Sequence, residues 1–108
     1  ADLYFNLGII YNQMGKYDES ENAFEEAYFL NEEDYQAIEG MAETYLNLGD
    51  KYFSGSDGFE KDLDKAARWY RKAEKKMKYA KSIDENNAAQ YQRQLEIIRY
   101  KRDIAEGN

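Results

Sequence analysis

The fold is decided by residues 4–30, which read YFNLGIIYNQMGKYDESENAFEEAYFL in one-letter code. Apolar side chains recur there mostly at steps of three and four residues, the period of a helix face that packs against a neighbour. They form two stripes, Tyr4, Leu7, Tyr11 and Met14, then Ala23, Phe24, Ala27 and Leu30. Gly15 predicts the end of the first helix, because glycine readily takes the left-handed conformation that caps a helix. The stretch therefore predicts a helical hairpin.

A second copy of the first stripe follows at an offset of 34 residues. Under that offset, small residues meet small residues and large apolar residues meet large ones. The aligned pairs are Tyr4 with Ile38, Leu7 with Met41, Gly8 with Ala42, Tyr11 with Tyr45, Met14 with Leu48 and Gly15 with Gly49. Because glycine has no side chain, Gly8 lets two helices approach closely while Tyr11 and Phe24 fill the space between them. The period predicts stacked hairpins.

The first unit carries a recognisable motif over residues 1–34. It reads Tyr4-x-x-Leu7-Gly8-x-x-Tyr11, followed on the second helix by Ser20, Phe24 and Ala27. On these residues the unit resembles the tetratricopeptide repeat family, in which a small residue is usual at Ser20 and a closing Pro at Glu32. The resemblance implies a right-handed stack of antiparallel helix pairs that binds a protein partner in a concave groove.

The second unit is longer, and we assign it residues 35–83. Residues 48–73 read Leu48-Gly49-x-x-Tyr52-x-x-Gly55, then Asp62-x-x-Lys65-Ala66-x-x-Trp69-Tyr70-x-Lys72-Ala73, which resembles the Sel1-like repeat. The loop falls at residues 54–60 by its Gly, Ser and Asp content. Helix length favours a third helix that passes through Gly49, although the sequence leaves open whether it breaks there.

The last segment, residues 87–105, repeats no full motif and predicts a capping helix that seals the core. Asp84 or Asn86 is expected to begin it as an N-cap. The chain as a whole is thus predicted to be one all-α domain, residues 1–108, of about five helices in a tetratricopeptide-like and Sel1-like α-solenoid.

Composition removes most catalytic chemistry. The chain has no Cys and no His, so disulfides, thiolate metal sites and the commonest general base are excluded. It has no Walker loop or dinucleotide motif, and the Ser54–Gly58 stretch is interpreted as a plain turn. We therefore predict no enzyme, no catalytic residues, no metal and no cofactor. No apolar run approaches the ~20 residues of a membrane span, and the cellular compartment stays open.

The charge is strongly divided along the chain. Residues 1–60 carry two basic residues against fourteen acids, and residues 61–108 carry thirteen against eight, so the halves are −12 and +5 and the total is −7. Lysines 72–81 could suggest nucleic acid, but the acidic half would repel phosphates, and no nucleic-acid partner is expected. The division is consistent with two charged faces that are simply solvated, or with electrostatic complementarity toward a protein or peptide partner. A third interpretation is a homo-oligomer in which the acidic N-terminal half of one copy docks on the basic C-terminal half of another.

The family resemblance places the groove on the first helix of each hairpin. The matching residues are Phe5, Ile9, Asn12, Gln13, Glu39, Glu43, Leu46 and Asn47, with Gln92, Glu96 and Arg99 as further candidates from the last helix. Phe5 and Ile9 stand where some family members carry the Lys and Asn that grip a terminal carboxylate, so that clamp is not expected. We predict an apolar anchor near Phe5 and Ile9 and a partner cation near Glu39 and Glu43.

An alternative interpretation of the apolar end of the groove depends on how the chain starts. The sequence begins at Ala1 inside an amphipathic pattern, so we expect a processed protein or a piece of a longer one. A preceding repeat would then cover Phe5 and Ile9, and the groove would lose its apolar end.

Overall fold

Five α-helices make up the chain in the computed structural model, which describes residues 2–32, 35–56 and 58–107. They are α1 (Asp2–Gln13), α2 (Tyr17–Leu30), α3 (Tyr35–Ser54), α4 (Leu63–Ile83) and α5 (Ala88–Ala105), with a short 3₁₀ turn at Glu85–Asn87 before α5. The described ranges hold no strand. The all-α helical-repeat class is confirmed, and the right-handed sense of the stack stays a prediction.

Each helix packs mainly on its neighbours along the chain. The most extensive contact joins the two longest helices, α3 and α4, while α1 contacts α2 extensively and α3 to a smaller extent. Gly15 ends the first helix at a φ of 76°, the left-handed conformation that its position predicted. The sequence also predicts Asn31 as an N-cap of α3, because acids follow it at residues 32–34; residues 33–34 lie outside the described residues.

The phenyl ring of Phe24 joins the first three helices. A Cβ built on Gly8 of α1 would lie 2.6 Å from this ring, and one built on Gly40 of α3 would also lie 2.6 Å from it. The ring of α2 is therefore seated between two glycines and is only 1% exposed. Any side chain at either glycine would have to displace the ring, so these glycines set the spacing of α1, α2 and α3.

The second hairpin also packs an aromatic ring directly on a glycine. The helix α3 continues through Gly49, which answers the question that the sequence left open. A Cβ at Gly49 would lie 2.5 Å from the Tyr70 ring of α4, so Gly49 is a close-packing residue and not a helix end. The Tyr70 hydroxyl then donates to Asp50 Oδ1 at 2.7 Å, which satisfies the polar end of a buried ring.

Two buried hydroxyls complete the contact between the first three helices. Ser20 Oγ donates to the carbonyl oxygen of Gly8 at 2.7 Å, and Thr44 Oγ1 donates to that of Gly40 at 3.0 Å. The two hydroxyl oxygens lie 3.2 Å apart. Ser20 therefore has a physical reason to replace the small apolar residue of the family pattern, because its hydroxyl bonds the backbone of the very glycine that receives Phe24.

The apolar stripes are only partly buried, and the sequence prediction was wrong at their ends. Met14 is 58% exposed and Leu30 is 56% exposed, while Tyr4 is at the margin of exposure. Within the described residues, α2 meets α1 closely at Gly8, which is the only fully buried residue recorded on α1. The ends of these stripes lie beyond that contact.

The N-cap prediction for the last helix was also wrong. The residue at the N-cap position, just before α5, is Asn87, and its side chain makes no capping hydrogen bond. The Asp84 carboxylate instead accepts hydrogen bonds from the Tyr91 hydroxyl at 2.9 Å and from Asn87 Nδ2 at 2.9 Å. It thus ties the connecting turn to the buried face of α5.

Ionic contacts hold α5 on α4. The buried carboxylate of Glu74 accepts from Arg99 Nε at 2.8 Å and from Arg102 Nη1 at 2.8 Å. The last helix also contacts α3, where Lys101 Nζ lies 3.2 Å from Asp50 Oδ1. Tyr91, Leu95 and Ile98 supply the apolar side of the same contact. These contacts give α5 its sealing position over α3 and α4.

Replacing Glu74 by Gln tests this attachment. The variant leaves two arginines beside a buried neutral amide, so we expect the free energy of unfolding to fall by about 1–3 kcal/mol. Asp103→Asn is the matched control, because the Asp103 side chain is 51% exposed and its contact with Arg102 is 3.5 Å long; we expect a loss below about 0.5 kcal/mol there. Urea unfolding followed by circular dichroism measures both, and equal losses would contradict the structural role of Glu74.

Candidate partner-binding groove

An open groove of about 320 Å³ lies between α1 and α3. The side chains that form it come from one face of α1 and one face of α3, with the Phe24 ring between them. The lining residues are Phe5, Ile9, Asn12, Gln13, Phe24, Gln36, Glu39, Gly40 and Glu43. The glycine contacts of Phe24 therefore also position the two walls of this groove.

Six of the eight residues predicted from the sequence line this space together. They are Phe5, Ile9, Asn12, Gln13, Glu39 and Glu43. The other two lie beside it. Leu46 is half-buried and packs against the core, and Asn47 donates from Nδ2 to Asn12 Oδ1 at 3.4 Å. That bond links α1 to α3 at the end of the groove, so Asn47 acts on the lining through Asn12.

The apolar end of the groove is formed by α1. The Phe5 ring is half-buried and lies 5.8 Å from the Phe24 ring, centroid to centroid, at an angle of 57°. Ile9 is 37% exposed, and a neighbouring side chain, Ile10, is more exposed still. An apolar side chain from a partner would find both a supported aromatic ring and open aliphatic surface here.

The acidic part of the groove centres on Glu39. Its carboxylate is half-buried, and burial raises the pKa of this group above its usual range, with Glu43 and Asp84 adding repulsion. The Tyr91 hydroxyl opposes that shift by donating to Glu39 Oε2 at 3.3 Å, but the same hydroxyl lies nearer to Asp84, at 2.9 Å. The single hydroxyl proton of Tyr91 is shared by two carboxylates, so hydrogen bonding only partly offsets the cost of burying the Glu39 charge. In this sense the Glu39 carboxylate is incompletely compensated.

None of the described residues that line the groove is a Lys or an Arg. Glu43, one turn after Glu39, is exposed. The groove therefore combines apolar surface with two carboxylates that have no cation beside them in the lining. Such a surface favours a ligand that brings its own positive charge.

The candidates from α5 have other contacts. Arg99 pairs with Glu74, and Gln92 accepts a hydrogen bond from Lys81 Nζ at 2.7 Å. Gln92 Nε2 also reaches Glu96 at 3.5 Å. None of the three lines the groove. The contribution of α5 to this region is Tyr91, through its bond to Glu39.

Sequence reasoning missed some of the groove. Gln36 lies one turn before Glu39 and Gly40, so the helical period of α3 could have added it. Phe24 was assigned to the core alone, yet one side of its ring also forms the groove floor. Tyr91 had no sequence signal, because it comes from a helix 52 residues further along the chain than Glu39.

Across residues 2–32, 35–56 and 58–107, no three side chains of the metal-binding types lie close enough to hold a metal ion. In the same ranges, no helix has both the length and the apolar character that crossing a bilayer requires.

Comparison with known proteins finds a family match for the first hairpin. Residues 1–34 match the family model of the tetratricopeptide repeat, which supports that family for α1 and α2 and covers 34 of the 108 residues. No curated protein and no solved structure matches the chain. The Sel1-like character of the second hairpin has no match of its own and stays a prediction. Tetratricopeptide repeats generally mediate contacts between proteins.

The raised pKa of Glu39 predicts how the groove affects stability. A carboxyl whose pKa is higher in the folded chain than in the unfolded chain binds protons more readily when folded, so its charge costs stability as pH rises above its usual range. Glu39→Gln removes that cost. We expect its melting temperature to exceed that of the original chain by more at pH ~7 than at pH ~4. Thermal unfolding at both pH values measures the difference, and a gain that is larger at the acidic value would contradict the burial argument.

Proposed function

We propose that this chain is a non-catalytic protein-interaction scaffold whose groove between α1 and α3 binds a segment of a partner protein. The segment places an apolar side chain against Phe5 and Ile9. It places a Lys or Arg beside Glu39 and Glu43. The match of residues 1–34 to a family of protein-binding repeats supports the general role, and the groove supplies the particular chemistry.

The observation that carries the proposal is the position of an incompletely compensated carboxylate next to open apolar surface. A cation brought to Glu39 would offset the cost of its burial and the repulsion from Glu43 and Asp84. An apolar side chain would cover surface that Ile9 leaves exposed. A segment that carries both groups gains from both sources at once.

The shape of the groove favours a segment over a small molecule. Two helix faces form its walls, and its volume of about 320 Å³ lies at the small end of the range for drug-sized ligands. A trough between parallel helix faces suits an extended or helical peptide, which contacts each wall repeatedly along its length.

Self-assembly is the second candidate, and the charge division favours it. The halves of the chain are −12 and +5, so the acidic surface of one copy can attract the basic surface of another. This candidate predicts a larger species in sedimentation velocity at low salt that dissociates at high salt, because exposed charges are screened. A monomer at both salt concentrations would eliminate it.

The groove is tested with a capped peptide that carries one Leu and two Lys one helical turn apart. Calorimetric titration compares the original chain with Glu39→Gln/Glu43→Gln. We expect the double variant to bind about 5- to 30-fold more weakly, which corresponds to the loss of two partly screened ion pairs.

The matched control is Glu19→Gln/Glu26→Gln, which removes two exposed carboxylates of α2 that do not line the groove. Its affinity for the peptide is expected to stay within about twofold of the original. Replacing both Lys of the peptide by Gln should weaken its binding to the original chain but not to the Glu39→Gln/Glu43→Gln variant. Equal losses in both double variants would show that net charge, and not the groove, attracts the peptide.

A further inference from the structure

A row of three cations lies on α4, on the far side of α3 from the groove. Lys65, Arg68 and Lys72 are exposed and follow each other at steps of three and four residues, so they share one face of the helix. Within the described residues, none of them forms an ion pair with a carboxylate, whereas Arg71 on the neighbouring face pairs with Glu106. We call these three residues the cation row.

Aromatic rings support the cation row from below. Lys72 Nζ lies 4.6 Å from the centroid of the Trp69 ring and 5.6 Å from that of Tyr45. Trp69 and Tyr45 are themselves stacked at 5.6 Å. Lys65 Nζ lies 5.4 Å from the centroid of the Tyr52 ring. Rings hold the ammonium groups in fixed places, so less side-chain entropy is lost when an anion binds.

The row and its rings enclose a shallow depression of about 270 Å³. It is lined by Tyr52, Lys65, Arg68, Trp69 and Lys72. The lining holds three positive groups, two aromatic rings and no carboxylate. Its charge is opposite to that of the groove between α1 and α3.

We propose that this depression is a second docking surface, which binds an acidic segment of another protein. The segment would place Asp or Glu side chains along the cation row and one apolar side chain against the exposed part of Trp69. Charge complementarity supports the choice of an acidic ligand. The aromatic floor supports a segment that is amphipathic and not merely charged.

The observations favour an acidic protein segment over nucleic acid. The row extends over only about two helical turns, roughly 10 Å. A nucleic-acid strand with one phosphate about every 3.4 Å would match the row for about three phosphates and then continue beyond it. Glu21 and Glu25 of α2 lie beside Tyr45 at one margin of the depression. A continuous polyanion would run past the row onto these carboxylates.

The observations also favour a separate partner protein over a second copy of the chain. Lys72 and Lys65 lie against rings of their own molecule. To reach Glu39 and Glu43 in the groove of another copy, they would have to leave those rings. An acidic segment can approach the ammonium groups where they already are.

The two surfaces lie on opposite faces of α3. Gly40 faces the groove and Tyr45 supports the cation row. Five residues at about 100° each place these two positions roughly 140° apart around the helix. One chain could therefore hold a basic segment on one face and an acidic segment on the other at the same time.

The test uses a capped peptide of alternating Glu and Ala with one central Phe, and its matched peptide with Gln in place of Glu. Trp69 is the only Trp of the chain and lies in the depression, so its fluorescence reports binding directly. Calorimetric titration of the same samples gives affinities that do not depend on the indole. We expect saturable binding of the Glu peptide and none of the Gln peptide at the same concentrations.

Two charge-matched variants locate the site. Arg68→Gln/Lys72→Gln changes the cation row and is expected to weaken binding about tenfold. Lys75→Gln/Lys78→Gln changes two other exposed lysines of α4 and is expected to change affinity by less than about twofold. Glu39→Gln/Glu43→Gln should leave this affinity unchanged, so failure here is distinguishable from failure of the groove. Circular dichroism verifies that each variant keeps its helix content.

Several results would overturn the proposal. One is the absence of saturable binding to the Glu peptide, and another is an equal loss in the two lysine and arginine variants. Tighter binding of a single-stranded oligothymidylate at the same row would assign the surface to nucleic acid instead. A salt-sensitive dimer that only the row variant abolishes would assign it to a second copy of the chain.

Discussion

Three helices of this chain meet around the ring of Phe24, which lies between Gly8 and Gly40 with no room for a Cβ on either side. Close packing of a ring on bare backbone fixes the distance between the helices and also their rotation, because the face of α1 that carries Gly8 and the face of α3 that carries Gly40 must both turn toward the ring. Ser20 and Thr44 then donate hydrogen bonds to the carbonyls of those same glycines, so that both buried hydroxyls are satisfied. Gly49 and Tyr70 repeat the arrangement between α3 and α4.

The two proposed binding surfaces follow from this packing. Phe24 fills the space between α1 and α3 from one side and leaves the groove on the other, where Phe5 rests against it. The burial that raises the pKa of Glu39 comes from the same close approach, with α5 behind it through Tyr91. On the far side, Tyr45 belongs to the core and also supports Trp69 and Lys72. The core and the two proposed binding surfaces thus share aromatic residues, because Phe24 also lines the groove and Tyr45 also lies beside Lys72.

Local pattern was enough to predict the helices, the cap at Gly15 and the close packing at Gly8, because each depends on spacing within one or two helices. The contact of Gly40 with Phe24 was not predicted, since the 34-residue offset pairs Gly8 with Ala42. Gly8 and Phe24 could be paired from the sequence, and six groove residues could be placed on common helix faces. Contacts that join distant helices could not be predicted this way. The bond between Tyr91 and Glu39, and the two arginines on Glu74, depend on where α5 settles. The buried extent of the α1 and α2 stripes was overestimated at Met14 and Leu30, since periodicity marks an apolar face without showing how much of it a neighbour covers.

The glycine seat of Phe24 is tested most directly by a double-mutant cycle of Gly40→Ala and Phe24→Leu, with free energies of unfolding from urea denaturation. Alanine favours a helix by about 1 kcal/mol over glycine, so Gly40→Ala would stabilise α3 if the space were free. We predict that it instead destabilises the original chain by about 1–2 kcal/mol through overpacking, and that Phe24→Leu abolishes this cost. If Gly40→Ala has the same effect with Phe or Leu at position 24, the ring does not set the spacing of these helices.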